Sequence, residues 1–128
     1  MVAVGGREGD LWIVGSTLCH STDGGKTFKE IPNHPPMSAR SSVPPISFGK
    51  AAPGKDYPAI FLANQSGTAS AAAGIYRSDD EGATWVRIND AQHQWGNRID
   101  CITGDPRIYG RVYLGAFGLG AYYGDIAK

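Results

Sequence analysis

The sequence predicts an all-β fold: a partial β-propeller of about two and a half four-stranded antiparallel blades. Three observations carry that expectation. The octapeptide Ser21-Thr22-Asp23-Gly24-Gly25-Lys26-Thr27-Phe28 returns 57 residues later as Ser78-Asp79-Asp80-Glu81-Gly82-Ala83-Thr84-Trp85, in one Ser-x-Asp-x-Gly-x-Thr-aromatic frame. A repeat at this spacing marks stacked copies of one supersecondary unit. About ten short runs of apolar alternation stand between turn-forming residues, and no window of a dozen residues has the i, i+3, i+4, i+7 spacing of an amphipathic helix. The 18 glycines and 8 prolines suit a chain that reverses direction often.

In chain order, Leu11-Trp12-Ile13-Val14 is the first strand. Residues 18–21 and 27–31 follow as a hairpin closed by Asp23-Gly24-Gly25, a composition that tight loops favour. Residues 45–49, 59–63, 75–78 and 84–88 are the next four strands and complete a blade. Residues 100–103, 111–115 and 121–125 begin another. With the strands of a blade lettered A to D from the central channel outward, the octapeptide is the C–D turn. Residues 75–79 and 121–125 align in register, so the chain stops where a third such turn is due. Its start falls at or just before a B strand, with residues 5–9 a degenerate lead-in. The expected organisation is a single partial propeller over 1–128: an incomplete blade at 1–33, a full blade at 45–90 and an incomplete blade at 99–128.

Composition narrows the function classes. Twelve basic residues balance twelve acidic ones, so no basic stripe for nucleic acid or polybasic membrane patch is expected. No apolar run approaches the roughly 18 residues of a membrane span, and residues 1–6 lack the features of a signal peptide. Cys19 and Cys101 leave a bridge or two buried thiols open, with buried thiols favoured. His20, His34 and His93 are too scattered for a metal site. No phosphate-binding loop or dinucleotide fingerprint occurs, and no cofactor is implied.

Chemistry gives the octapeptide a structural role. An Asp carboxylate in a tight turn accepts backbone N–H bonds, and glycine supplies the positive φ the turn needs. Ser and Thr hydroxyls tie the two arms, and Phe28 or Trp85 packs between adjacent sheets. Identical aspartates in a repeated turn imply a repeated structural role rather than catalysis. The same frame is the Asp-box, or BNR repeat, with Ser21, Asp23, Gly25, Thr27 and Phe28 in the first copy and Ser78, Asp80, Gly82, Thr84 and Trp85 in the second. It occurs in sialidases, sortilin-type receptors and several glycoside hydrolase families.

The flanks are more specific. Gly9-Asp10-Leu11-Trp12, Phe48-Gly49-Lys50-Ala51-Ala52-Pro53-Gly54, Tyr57-Pro58-Ala59, Trp85-Val86-Arg87-Ile88-Asn89-Asp90, His93-Gln94-Trp95-Gly96 and Ile102-Thr103-Gly104-Asp105-Pro106-Arg107 resemble glycoside hydrolase family 74. That family contains xyloglucanases and xyloglucan-specific endo-β-1,4-glucanases. Residues 109–115 and 123–125 are similar to its C-terminal end. The resemblance implies two seven-bladed propellers with the substrate cleft between them. It also implies an inverting pair of aspartates, which must stand roughly 6.5–9.5 Å apart to admit a water. Aligned this way, neither catalytic aspartate has a counterpart in the chain, so no catalytic residue is assigned. Residues 33–45 follow no recognised pattern, and Ala116-Phe117-Gly118-Leu119-Gly120 departs from the polar, basic stretch of relatives. The resemblance further implies a secreted enzyme acting on β-glucan or xyloglucan.

Blade topology places the octapeptides on one rim and the D–A and B–C loops on the other. By analogy with other propellers the D–A rim binds ligand. His93, Gln94, Trp95 and Arg98 are therefore the candidate sugar contacts, an aromatic face for the pyranose with polar groups for its hydroxyls. A purely structural loop is the competing interpretation. Trp12 and Trp85 are expected in the core, one of Tyr122 and Tyr123 inside and the other outside, and Asp105-Pro106 at a turn. Two functions compete. The chain is a scaffold segment of a xyloglucan-hydrolysing enzyme, inert alone, with other blades of a parent chain as partners. Alternatively it is a stand-alone carbohydrate-binding module that assembles with further copies through exposed strand edges. A sialidase-type propeller is disfavoured, since the arginines show no cluster for a sugar carboxylate.

Overall fold

A computed structural model describes residues 1–36, 46–64, 74–90, 92–94 and 99–127. Among them the regular structure is entirely strand: β1 (Val2–Ala3), β2 (Leu11–Val14), β3 (Leu18–Ser21), β4 (Lys29–Glu30), β5 (Ile46–Gly49), β6 (Ala59–Ala63), β7 (Ile75–Ser78), β8 (Val86–Arg87), β9 (Ile99–Gly104), β10 (Val112–Ala116) and β11 (Gly120–Gly124). All neighbouring strands run antiparallel, in three sheets ordered β1-β2-β3-β4, β5-β6-β7-β8 and β9-β10-β11. We call these the first, second and third sheets.

Three details differ from the sequence expectation. Val2 and Ala3 pair with Trp12 and Leu11, so the first sheet has an A strand where only a lead-in was expected. Two residues are too short a run to show alternation. The D strands shrink from 27–31 and 84–88 to two residues each, because Thr27 and Thr84 are bonded back into the octapeptide turn. Cys19 and Cys101 are free, one half-buried and the other exposed, rather than two buried thiols. They stand on different sheets.

Burial explains the residue choice along each strand. β6 reads Ala-Ile-Phe-Leu-Ala and is buried throughout, because sheets cover both of its faces. Ile60 and Leu62 join Val4, Trp12, Val14, Leu18, Ile46 and Tyr57 in the core between the first and second sheets. Phe61 and its flanking alanines turn the other way, toward Ile99, Ile102, Val112 and Leu114 of the third. Register fixes the equivalence of the sheets: Trp12, Phe61 and Tyr113 pair across strands with His20, Arg77 and Tyr123. Trp12 and Phe61 are fully buried, whereas Tyr113 and Tyr123 are 41% and 65% exposed on the face turned away from the second sheet. Tyr122, their neighbour on the inner face, packs on the core.

The second and third sheets meet most closely at their inner strands. The Gly104 N–H donates to Ser47 Oγ at 2.9 Å, and the Lys50 N–H to the Asp105 carbonyl at 2.8 Å. A Cβ on Gly104 would lie 2.7 Å from Gly49 Cα and 2.8 Å from Gly49 N. Only glycine permits that approach.

Candidate functional site

Antiparallel blades put successive turns at alternate ends, which divides the loops between two rims. On one rim the Gly24 N–H donates to the Gly9 carbonyl at 3.0 Å, joining the C–D turn of the first sheet to its A–B loop. On the other, Asn64 Nδ2 donates to the Pro36 carbonyl at 3.1 Å, joining the loop after β6 to the connection between the first two sheets.

The two octapeptides share one hydrogen-bond scheme. Ser21 Oγ donates to Asp23 Oδ1 at 2.8 Å and accepts the Gly25 N–H at 3.0 Å. Thr27 donates its N–H to Asp23 Oδ1 at 2.9 Å and its hydroxyl to Oδ2 at 2.6 Å. Ser78, Asp80, Gly82 and Thr84 repeat every one of these bonds. Gly25 and Gly82 take φ values of +86° and +85°, which a side chain would strain. The Thr27 hydroxyl, then its N–H and the Ser21 hydroxyl, hold the Asp23 carboxyl down at about 2. Desolvation pulls Asp80 upward, but the Thr84 and Ser78 bonds outweigh it and leave its pKa lowered. Trp85 packs on the core between the first and second sheets, with its indole N–H donating to the Gly82 carbonyl at 3.0 Å. Phe28, expected between sheets as well, is 38% exposed: among the described residues no sheet lies on its side of the first.

Sequence reading missed a buried polar network that crosses the first two sheets. Trp12 Nε1 donates to Tyr57 Oη at 2.9 Å, and that hydroxyl donates to Asp10 Oδ1 at 2.8 Å. His20 Nε2 lies 2.7 Å from the same Asp10 oxygen, and its ring stacks on Trp12 at 4.2 Å. Burial pushes the Tyr57 phenol up, so it stays a donor. A Trp inside a predicted strand was the available signal, since a buried indole N–H needs an acceptor. Tyr109 repeats the pattern one sheet on. Its hydroxyl donates to Asp79 Oδ2 at 2.8 Å, while Arg77 donates to the same oxygen and lies over the Tyr109 ring.

On the second rim, Asn89 anchors the loop that leaves β8. It is buried, and its Oδ1 accepts the Ile75 N–H at 2.8 Å. Asp90 Oδ1 then accepts the N–H groups of Gln92 and His93, each at 2.8 Å, and lies 2.8 Å from His93 Nδ1. Those bonds, the His93 N–H first, lower the Asp90 pKa. His93 and Gln94 are exposed there, while Trp95 and Arg98 lie outside the described residues. Asp105 is the turn-former expected: it accepts the N–H groups of Arg107 and Ile108 at 2.7 and 3.1 Å, and the Arg107 bond leads in lowering its pKa. Asp125 is held by Arg111 through two bonds of 2.6 and 2.7 Å. Asp23, Asp80, Asp90 and Asp105 are thus all shifted downward, the wrong direction for a general acid.

No family model matches the chain. It is 47% identical to a xyloglucanase of a Paenibacillus species over an alignment of 131 positions that covers 96% of the chain and 12% of that protein. It is 46% identical to a xyloglucanase of Acetivibrio thermocellus, covering 98% of the chain and 14% of the relative. A probable oligoxyloglucan-reducing end-specific xyloglucanase of Neosartorya fischeri is 43% identical over 94% of the chain and 14% of its own length. The chain therefore spans 12–14% of these curated relatives. Among solved structures it superposes on the glycoside hydrolase family 74 enzyme of Niastella koreensis with a TM-score of 0.75 and 32% identity, covering 99% of the chain and 18% of the enzyme. The family 74 xyloglucanase of Xanthomonas campestris gives 0.72 and 33%, over 95% of the chain and 16% of the enzyme. With 95–99% of the chain superposed on two solved family 74 enzymes and 94–98% aligned to xyloglucanases, the chain is a propeller segment of glycoside hydrolase family 74.

Proposed function

We propose that the chain supplies propeller scaffold and part of a glycan-binding rim to a xyloglucan- or β-glucan-hydrolysing enzyme of the family 74 type, and that it is inactive by itself. The observation that carries this is the identity of 43–47% with three xyloglucanases over at least 94% of the chain, against 12–14% of their lengths. Inactivity is supported by the alignment to the family, in which neither aspartate of the inverting pair has a counterpart in the chain. The parent enzyme acts outside the cell, where the polysaccharide is. The rim that carries Asn89, Asp90, His93 and Gln94 is the sugar-facing one, with Trp95 stacking on a pyranose and Arg98 binding hydroxyls. The buried Asn89 and the Asp90 turn hold His93 in place before sugar arrives, which reduces the ordering lost on binding.

Two assays test it. Incubated with xyloglucan, the chain releases no reducing sugar; release at a rate set by its concentration would overturn the claim of inactivity. Affinity electrophoresis in xyloglucan gels retards the chain, and Trp95→Ala relieves the retardation. Equal retardation of the two would remove Trp95 from the rim.

A further inference from the structure

On the second rim each sheet closes its B and C strands in the same register. The last pairs before the loop are Val14 with Leu18, Ala63 with Ile75 and Ala116 with Gly120. Just outside them stand Gly15 and Thr17, Asn64 and Gly74, and Phe117 and Leu119. One step into the C strand stand Cys19, Tyr76 and Ala121. The Gly15 N–H donates to the Thr17 carbonyl at 3.0 Å, as the Asn64 N–H does to the Gly74 carbonyl at 2.9 Å. Closing a blade therefore does not require Asn64, Gly74 and Tyr76. In the second sheet these three lie together. A Cβ on Gly74 would lie 2.5 Å from Tyr76 Cε2, 2.8 Å from the Tyr76 hydroxyl and 2.9 Å from Asn64 Oδ1. Glycine thus leaves room for the ring, which leans back along β7 toward the rim. Asn64 is fixed on both sides: Nδ2 donates to the Pro36 carbonyl, and Oδ1 accepts the Gly74 N–H at 2.6 Å. An amide oxygen has two lone pairs, so Oδ1 keeps one. The half-buried Tyr76 hydroxyl makes no hydrogen bond among the described residues.

We propose that Asn64 and Tyr76 form a sugar subsite on this rim, at the junction of the first two sheets, that reads the hydroxyls of one pyranose. A sugar hydroxyl donates to the free lone pair of Asn64 Oδ1, and the Tyr76 hydroxyl donates to an oxygen of the same ring. None of the three residues carries a charge, which suits a neutral β-glucan or xyloglucan chain. The Pro36 carbonyl holds the Asn64 amide in one orientation before ligand arrives, so little ordering is lost on binding. A half-buried phenol is costly to leave unsatisfied, and a ligand hydroxyl removes that cost. The inference rests on the reading of this rim as the sugar-facing one and adds two residues to it.

Tyr76→Phe removes the hydroxyl and keeps the ring. In xyloglucan affinity gels this variant of the 128-residue chain should bind about threefold to tenfold more weakly, the range for one hydrogen bond. Its melting temperature should stay where it is, because no bond within the protein is lost. The NMR signals of the Asn64 side-chain amide and the Gly74 N–H should shift as xyloglucan oligosaccharide is added. Unchanged affinity in Tyr76→Phe, with weakened affinity in Trp95→Ala, would overturn the subsite and leave the rim standing. Weakened affinity in Tyr76→Phe alone would keep the subsite and remove Trp95. A melting temperature that falls together with affinity would assign the hydroxyl to the fold and overturn the subsite. No retardation of the unaltered chain would overturn the rim and the subsite together.

Discussion

Asp23 and Asp80 hold their turns through ionised carboxylates, and this makes the fold acid-sensitive in a defined window. Asp23 has a folded pKa of about 2 against an ordinary value of 3.8, so the unfolded chain binds more protons between those values. Its stabilising effect is complete above about pH 4 and disappears as pH falls through the folded value. Asp80 is displaced in the same direction. The urea midpoint should therefore be flat near neutrality and decline below about pH 4. Asp23→Asn should lower the midpoint at pH 7 and flatten the acid limb; parallel limbs in the two proteins would sink the assignment. These turns were legible in the sequence because every partner lies within four residues. The Asp10–Tyr57 bond was not, since its partners are 47 residues apart and only the stacking of two sheets brings them together. The sugar-contact candidates split for a different reason. His93 and Gln94 have a described loop held by Asn89 and Asp90, and that anchor left no mark in the sequence beyond an Asn-Asp pair at a strand end.

At the scale of elements, apolar alternation placed the inner and middle strands within a residue or two. It worked where one strand face is more covered than the other, as in β2, and a continuous apolar run served instead where both are covered, as in β6. It failed where side-chain bonds compete with strand pairing, as Thr27 and Thr84 do, and where a strand is as short as β1. No periodicity announces the contact between β5 and β9, because two glycines make it. Gly104→Ala would bring a methyl group within 2.9 Å of Phe48 C and nearer still to Gly49, so backbone must move. Overpacking of this kind typically costs about 1–3 kcal/mol. Gly5→Ala is the control, because nothing lies within 4 Å of the added carbon. Thermal unfolding should separate the two variants clearly. Equal melting temperatures would dismiss the close approach as a source of stability.

For the whole molecule, the uncovered faces dominate the expected behaviour. Tyr113 stands on the outward face of the third sheet at the position where Trp12 and Phe61 are sealed by the next sheet, with Tyr123 beside it at the position of His20 and Arg77. Aromatic faces left open in this way promote association. Light scattering should give an average mass that rises above 13.6 kDa with concentration, and replacing both tyrosines with lysine should return it to the monomer. A wild-type chain that stays monomeric throughout would show that the exposed tyrosines tolerate water. The glycine contact at the centre has a further geometric consequence. Gly49 and Gly104 let two inner edges touch backbone to backbone, while the outer strands of the same sheets stand far enough apart to leave a groove. The second and third sheets thereby meet like tapered stones in an arch, close at the axis and apart at the circumference. At this interface the taper begins at the two residues that have no side chain to hold the stones apart.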